Sequence, residues 1–225
     1  MTSRPRHDPS LAALATVFTL ALAVVAHDAA AAGSPGPSRA AQKRVVWALL
    51  KAPHPRIDGT KLQRIGPDVQ SILTEAITSH VPPDQAGRRA LSLIAWFPTQ
   101  QTWSVALALL EDTRTPTETR RIAVGTLARA FPRRAWPVVE RYLSDRDIFL
   151  REAAAYAMAH IDHPGAEGRL VDLLDREPEI AVRDAMVAGL AAMRARENGG
   201  DSADRGTATP PTRKRGRAGR AGKGR

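Results

Sequence analysis

Three stretches of this chain are copies of one another. They read RRIAVGTLARAF from Arg120, REAAAYAMAHID from Arg151 and RDAMVAGLAAM from Arg183. Each opens on Arg and places a large apolar residue seven positions later: Leu127, Met158 and Leu190. The starting arginines are 31 and 32 residues apart, and a looser copy, GRRALSLIAWF, begins at Gly87. Pro98, Pro132 and Pro164 follow three of these segments. Proline cannot continue a helix and restrains the residue before it, so each marks a turn into a second helix. The second helices superpose as well: WSVALALLED from Trp103, WPVVERYLSD from Trp136 and EGRLVDLLDR from Glu167, with Leu110, Leu143 and Leu174 in register. Apolar residues recur at three- and four-residue steps, one face of a helix. Turn-prone acidic loops (EDTRTPTET, SDRDIF, DREPEI) lead to the next starting Arg. The unit is a first helix, a Pro turn, a second helix and an acidic loop. Neither helix buries its apolar face alone, so units must stack. The predicted fold class is all-α, an α-solenoid of stacked antiparallel helix pairs.

Composition agrees. The chain is 43% hydrophobic but only 4% aromatic, with a core built mainly from Ala, Leu and Val. Ala leads the helix scale and is depleted in strands. The ends of the stack read as caps. Residues 38–51 and 62–80 form an irregular first pair, and residues 182–196 a final helix with no second helix after it.

The segment SDRDIFLREAAAYAMAHID (144–162) resembles the D-x-x-x-x-x-R-x-A-A-x-A-L stretch of HEAT-like repeats. The likeness covers about residues 62–194. With its short period the chain is most similar to short bacterial HEAT repeats of the phycobilin-lyase-like kind. The resemblance implies a ladder between loop Asp and helix Arg: Asp145 with Arg151 at the family's six-residue offset, and Asp112 with Arg120 and Asp175 with Arg183 at eight. The alternative for these arginines is solvated surface. It also implies that the second helices line a concave, partner-binding face, which would present Glu140, Arg141, Asp172, Asp175 and Arg176; a solvated helix face is the alternative. Families of this fold include bilin lyases and glycosylases for alkylated bases. This chain has no G-x-S-x-G, Walker, H-E-x-x-H or Rossmann glycine pattern. The expectation is a non-enzymatic interaction or scaffold module that binds a protein partner as a monomer, without cofactor or metal.

The termini carry addresses and charge. Arg4, Arg6 and His7 precede an uncharged run at residues 11–26, followed by small residues. This is the pattern of a secretory signal peptide, assigned to residues 1–31. The run is short for a membrane span, although an uncleaved anchor stays open as the alternative. The expected location is periplasmic or extracellular. Residues 32–38 read as a linker, 39–196 as the repeat domain and 197–225 as a disordered basic tail. Arg213, Lys214, Arg215, Arg217, Arg220, Lys223 and Arg225 carry seven of the formal +10 charges and leave +3 for residues 1–212. That tail is either a binder of an anionic polymer (nucleic acid, polysaccharide or lipid headgroups) or a solubilising end. There is no cysteine, so disulfides and thiolate metal sites are excluded.

Two further groups of residues stand out. His160 and His163 share a helix face with Asp162 between them, but Pro164 ends the helix and no third ligand follows, so no metal is assigned. Trp103 and Trp136 open successive second helices. They read as packing against Trp96 and Phe131 rather than as a ligand-stacking strip, because repeated positions are usually core positions.

Overall fold

The computed structural model describes residues 36–53 and 58–205. Those residues are all-helical apart from turns and loops. The segment read as signal (1–31), most of the linker (32–38) and residues 206–225 of the segment read as basic tail (197–225) lie outside the described residues.

Helix α1, Arg39–Lys51, starts at Ser38, whose side chain accepts the amide of Ala41. The stretch 62–80, read as one helix, is broken. A short α2, Gly59–Gln63, is followed by a turn and by α3, Val69–Thr78. Pro67 and Gly66 make the break. Gly66 has φ +152°, and a Cβ there would strike the buried Gln42 side chain. Gln42 fills that space because it bonds the Pro37 carbonyl at 2.7 Å and the Asp68 amide at 2.9 Å.

The repeats follow. Helix α4, Gln85–Leu93, is capped by Asp84 and ends in a 3-10 turn, Ile94–Trp96. Helices α5, Gln100–Glu111, and α6, Thr117–Ala130, come next, then α7, Trp136–Tyr142. Helix α8, Ile148–Ala157, is capped by Asp147 and ends in a 3-10 turn, Met158–His160. Helices α9, Ala166–Leu174, and α10, Ile180–Arg205, complete the stack. The final helix therefore runs beyond residue 196, into the segment assigned to the tail. Pro98, Pro132 and Pro164 all fall in turns between helices.

The period is as read, but its phase differs. The close hairpins α5 with α6, α7 with α8 and α9 with α10 form across the acidic loops rather than across Pro98, Pro132 and Pro164, and α3 pairs with α4 across residues 79–84. The last helix is thus the second half of a hairpin, not a lone one. The helices that begin with the repeated Arg pack directly on one another, α1 on α4, α4 on α6, α6 on α8 and α8 on α10. Successive α5, α7 and α9 instead reach one another through long side chains: Arg141 meets Glu111 at 3.0 Å, and Arg169 meets Glu140 at 3.4 Å.

Small side chains make the close layer possible. Ala123, Val124, Ala128, Ala154, Ala155 and Ala185 are fully buried between neighbours. At one crossing the backbone itself sets the limit. A Cβ on Gly189 would lie 2.8 Å from the Ala155 carbonyl oxygen. Two crossings earlier the same position is Thr126, and its hydroxyl donates to the Leu91 carbonyl at 2.8 Å.

Gly189→Ala would gain about 1 kcal/mol of helix propensity. Since a backbone carbonyl cannot swing aside, we expect a net loss of about 1–2 kcal/mol in denaturant unfolding, as for overpacked cores. Gly125→Ala faces open space and is expected to stabilise by up to about 1 kcal/mol.

Candidate partner-binding surface

The stack has two layers, and in one of them, called the inner layer below, successive helices pack directly on one another. Here that layer is α4, α6, α8 and α10. Glu140 and Arg141 on α7, Asp172 on α9, and Asp175 and Arg176 just after it belong to the wider layer. Glu140 and Arg141 are engaged in the ion pairs between its members, while Asp172, Asp175 and Arg176 are exposed. Their residue types gave no hint of the layer, because both helices of the unit are amphipathic.

The inner face has its own chemistry. Of the eight large apolar side chains exposed among the described residues, five are on α8 and α10: Ile148, Phe149, Tyr156, Ile180 and Val187. Phe149 and Tyr156 are seven residues apart, so they share a helix face with Glu152 and Ala153. They are 57% and 49% exposed. The equivalent residues on the flanking helices are Glu118 and Gly125 on α6, and Ala181 and Ala188 on α10. The two rings therefore form a ridge between lower ground on either side. Arg121 borders it, pairing with Glu118 at 3.2 Å and with Glu152 at 3.3 Å. Its guanidinium lies 5.7 Å from the Phe149 ring centre, within cation–π range. These aromatics were missed in the sequence; the available signal was their shared face with the charged Glu152.

The expected Asp–Arg ladder is a ladder of different partners. Arg151 donates to the backbone carbonyl of Asp145 at 2.9 Å, while the Asp145 carboxylate accepts the amide of Asp147. Arg183 donates to the carbonyls of Glu177 and Pro178 at 3.0 and 3.3 Å, and Asp175 is exposed. Arg120 donates to the Leu110 carbonyl at 2.9 Å, while Asp112 is held by Arg114. Asp112 and Asp145 accept amides of their own turns and so do not reach the arginines.

The carboxylate of the ladder is Glu177. It takes a bidentate pair from Arg151, Nε at 3.0 Å and the terminal nitrogen at 2.8 Å, with both side chains largely buried. Glu177 stands six residues before Arg183, as Asp145 stands six before Arg151, and that offset was the legible signal. Asp145, its counterpart one repeat earlier, has the shorter side chain and shares an open cleft with Arg120, Tyr142, Glu111 and Arg141.

A second set of arginines ties the other edge of the stack. Arg89 donates to the carbonyls of Leu50 and Ala52 at the end of α1. Arg129 reaches Ser92 in α4, and Arg196 bonds the carbonyls of Ala159 and Ile161 at the end of α8. Cations suit these carbonyl-rich helix ends. Burial, with the charges of Arg129 and Arg196, holds His160 below its ordinary pKa. Asp162 is paired with Arg133 at 2.7 Å, and His163 stacks on Trp136 with ring centres 4.4 Å apart. Among the described residues no cluster of metal-ligating side chains occurs. Trp103 is buried edge-on against Phe131 at 5.2 Å, with Arg134 over its ring at 3.8 Å.

Close-packed hairpins in register define an α-helical repeat protein. Residues 104–191 match the sequence profile of HEAT repeats, a span that opens in α5 and closes in α10. That segment is built of HEAT-like repeats. No curated protein matches it.

The ion pair has a pH signature. Burial pushes the Glu177 carboxyl up, but Arg151, the Glu179 amide and the Arg183 charge outweigh it, and its pKa is lowered. A lowered folded pKa contributes stability above the unfolded value of about 4.3, and that stability is lost as pH falls through the folded pKa. Glu177→Ala is expected to cost about 3 kcal/mol at pH 7, as for one partner of a buried pair. In urea melts the gap between wild type and Glu177→Gln should close below about pH 4.

Proposed function

We propose that this chain is an exported protein-interaction module that seats a partner segment on its inner helical layer, over Phe149 and Tyr156. HEAT repeats generally mediate protein–protein interaction. The observation that carries the reading is the aromatic ridge on α8. Two half-exposed rings, with Gly125 on one flank and Ala181 and Ala188 on the other, offer the apolar anchors that interface cores favour. Arg121, Glu118 and Glu152 supply a polar rim. The reading is non-enzymatic.

Export belongs to the proposal and rests on the signal pattern at residues 1–31. Among the described residues no helix is long and apolar enough to cross a membrane. Fractionation of cells that make the untagged full chain tests this part, and a cytoplasmic pool alone would contradict it.

For the docking face, the test is crosslinking and mass spectrometry on the exported protein. The double variant Phe149→Ser, Tyr156→Ser is expected to lose the partner that wild type captures, by at least about tenfold at a hot-spot cost near 1.4 kcal/mol or more. Asp172→Ala, Arg176→Ala and truncation after residue 205 should retain it. Equal capture by the serine variant would contradict the inner-face assignment. Loss on truncation alone would transfer binding to the basic tail.

A further inference from the structure

The inner layer repeats one crossing. The residue four after each repeat start is Leu91, Val124, Ala155 and then Val187. The first three are fully buried because the next inner helix lies over them. Two of these crossings bring position six of the following helix onto the carbonyl beneath. Thr126 bonds Leu91, and Gly189 sits against Ala155. Val187, the fourth in register, is 53% exposed. The residue eight after the start behaves alike: Ala128 is fully buried, Ala159 half-buried and Ala191 exposed. Ile180, which begins this helix, is 67% exposed.

The junction of α8 with α10 adds a loop contact that the junction before it lacks, since Arg120 forms no ion pair among the described residues. Arg151 holds the carbonyl six residues before it and also the Glu177 carboxylate of the following loop. Arg183 holds the equivalent carbonyl, yet among the described residues it forms no ion pair. The far flank of α10 thus presents both halves of an inter-repeat junction, an apolar crossing and a guanidinium in register for a loop acid.

We propose that this flank is a docking junction for one more helical hairpin, supplied by a partner protein. The incoming loop would place Asp or Glu on Arg183. Its second helix would cross Val187 with Gly, Ala or Thr, the small residues that the earlier crossings use. Charge complementarity selects a partner over head-to-tail stacking of a second copy. Helix α1, the inner helix at the opposite end of the stack, is preceded by Gly36, Pro37 and Ser38, none of which is acidic. This surface is the end of the stack rather than its inner face, so it stands apart from the Phe149 and Tyr156 ridge.

The test uses the purified full chain and, as probe, a synthetic peptide of residues 164–196, the hairpin that docks on Arg151 and Ala155 within the stack. Saturable binding is expected, weakened at least about tenfold by Arg183→Glu in the chain and recovered when the peptide carries Glu177→Arg. A photo-crosslinker at Val187, in cells making the full chain, is the second measurement, with Val171 on α9 as the control position. Crosslinks to an acid-bearing helical segment of another protein, lost with Arg183→Glu, support the junction even if the free peptide does not bind. No peptide binding together with Val187 crosslinks no stronger than the control overturns it. Crosslinks that map only to this chain, in cis or to a second copy, overturn the partner.

Discussion

Backbone contact between successive inner helices is the constraint that the rest of the structure follows. Helix axes approach this closely only where side chains at the crossing are small. Gly189 lies against the Ala155 carbonyl, and Thr126 turns the same closeness into a hydrogen bond to Leu91. Once that layer is close-packed, the helices between Pro turn and acidic loop have less lateral contact and are linked by Glu111–Arg141 and Glu140–Arg169. The two layers therefore differ in kind, one held by packing and the other by longer polar reach.

That difference decides where a partner finds apolar surface. A charged side chain already paired with its neighbour must lose that pairing before it can serve a ligand, and exposed pairs are worth little either way. Phe149 and Tyr156 carry no such cost. Arg121 keeps the ridge wetted at its edge while leaving the rings open. The buried Arg151–Glu177 pair performs a separate task. It fixes the register of α8 against the last hairpin, and that hairpin positions the flank of α10.

Much of the fold was legible because repetition is a stronger signal than any single propensity. The 31–34 residue spacing, the three turn prolines and the apolar heptad positions such as Leu127 and Met158 follow from the sequence directly. The phase did not, for a physical reason. Pro turns such as 131–135 and acidic loops such as 143–147 are of similar length, so loop length does not say which neighbour a helix pairs with. Pro67 marked the break between α2 and α3, but Leu62, Ile65, Val69 and Ile72 keep helical spacing across it and masked the signal. At the site, Asp145 and Arg151 were rightly drawn to one another, though a backbone carbonyl makes the bond. Glu177, six residues before Arg183, was overlooked in favour of Asp175, eight before it. Whether an apolar residue such as Tyr156 is core or surface depends on which helix covers it, and that information is tertiary.

The account rests on the inner layer as the structural spine of the repeat. Native-state hydrogen exchange on the full chain addresses this most directly, because it resolves local opening from global unfolding helix by helix. Amides at 124–128 and 154–158 are expected to exchange only through global unfolding, while those of α7 and α9 open at lower free energy. Protection in α7 and α9 equal to or greater than that of α6 and α8 would contradict it.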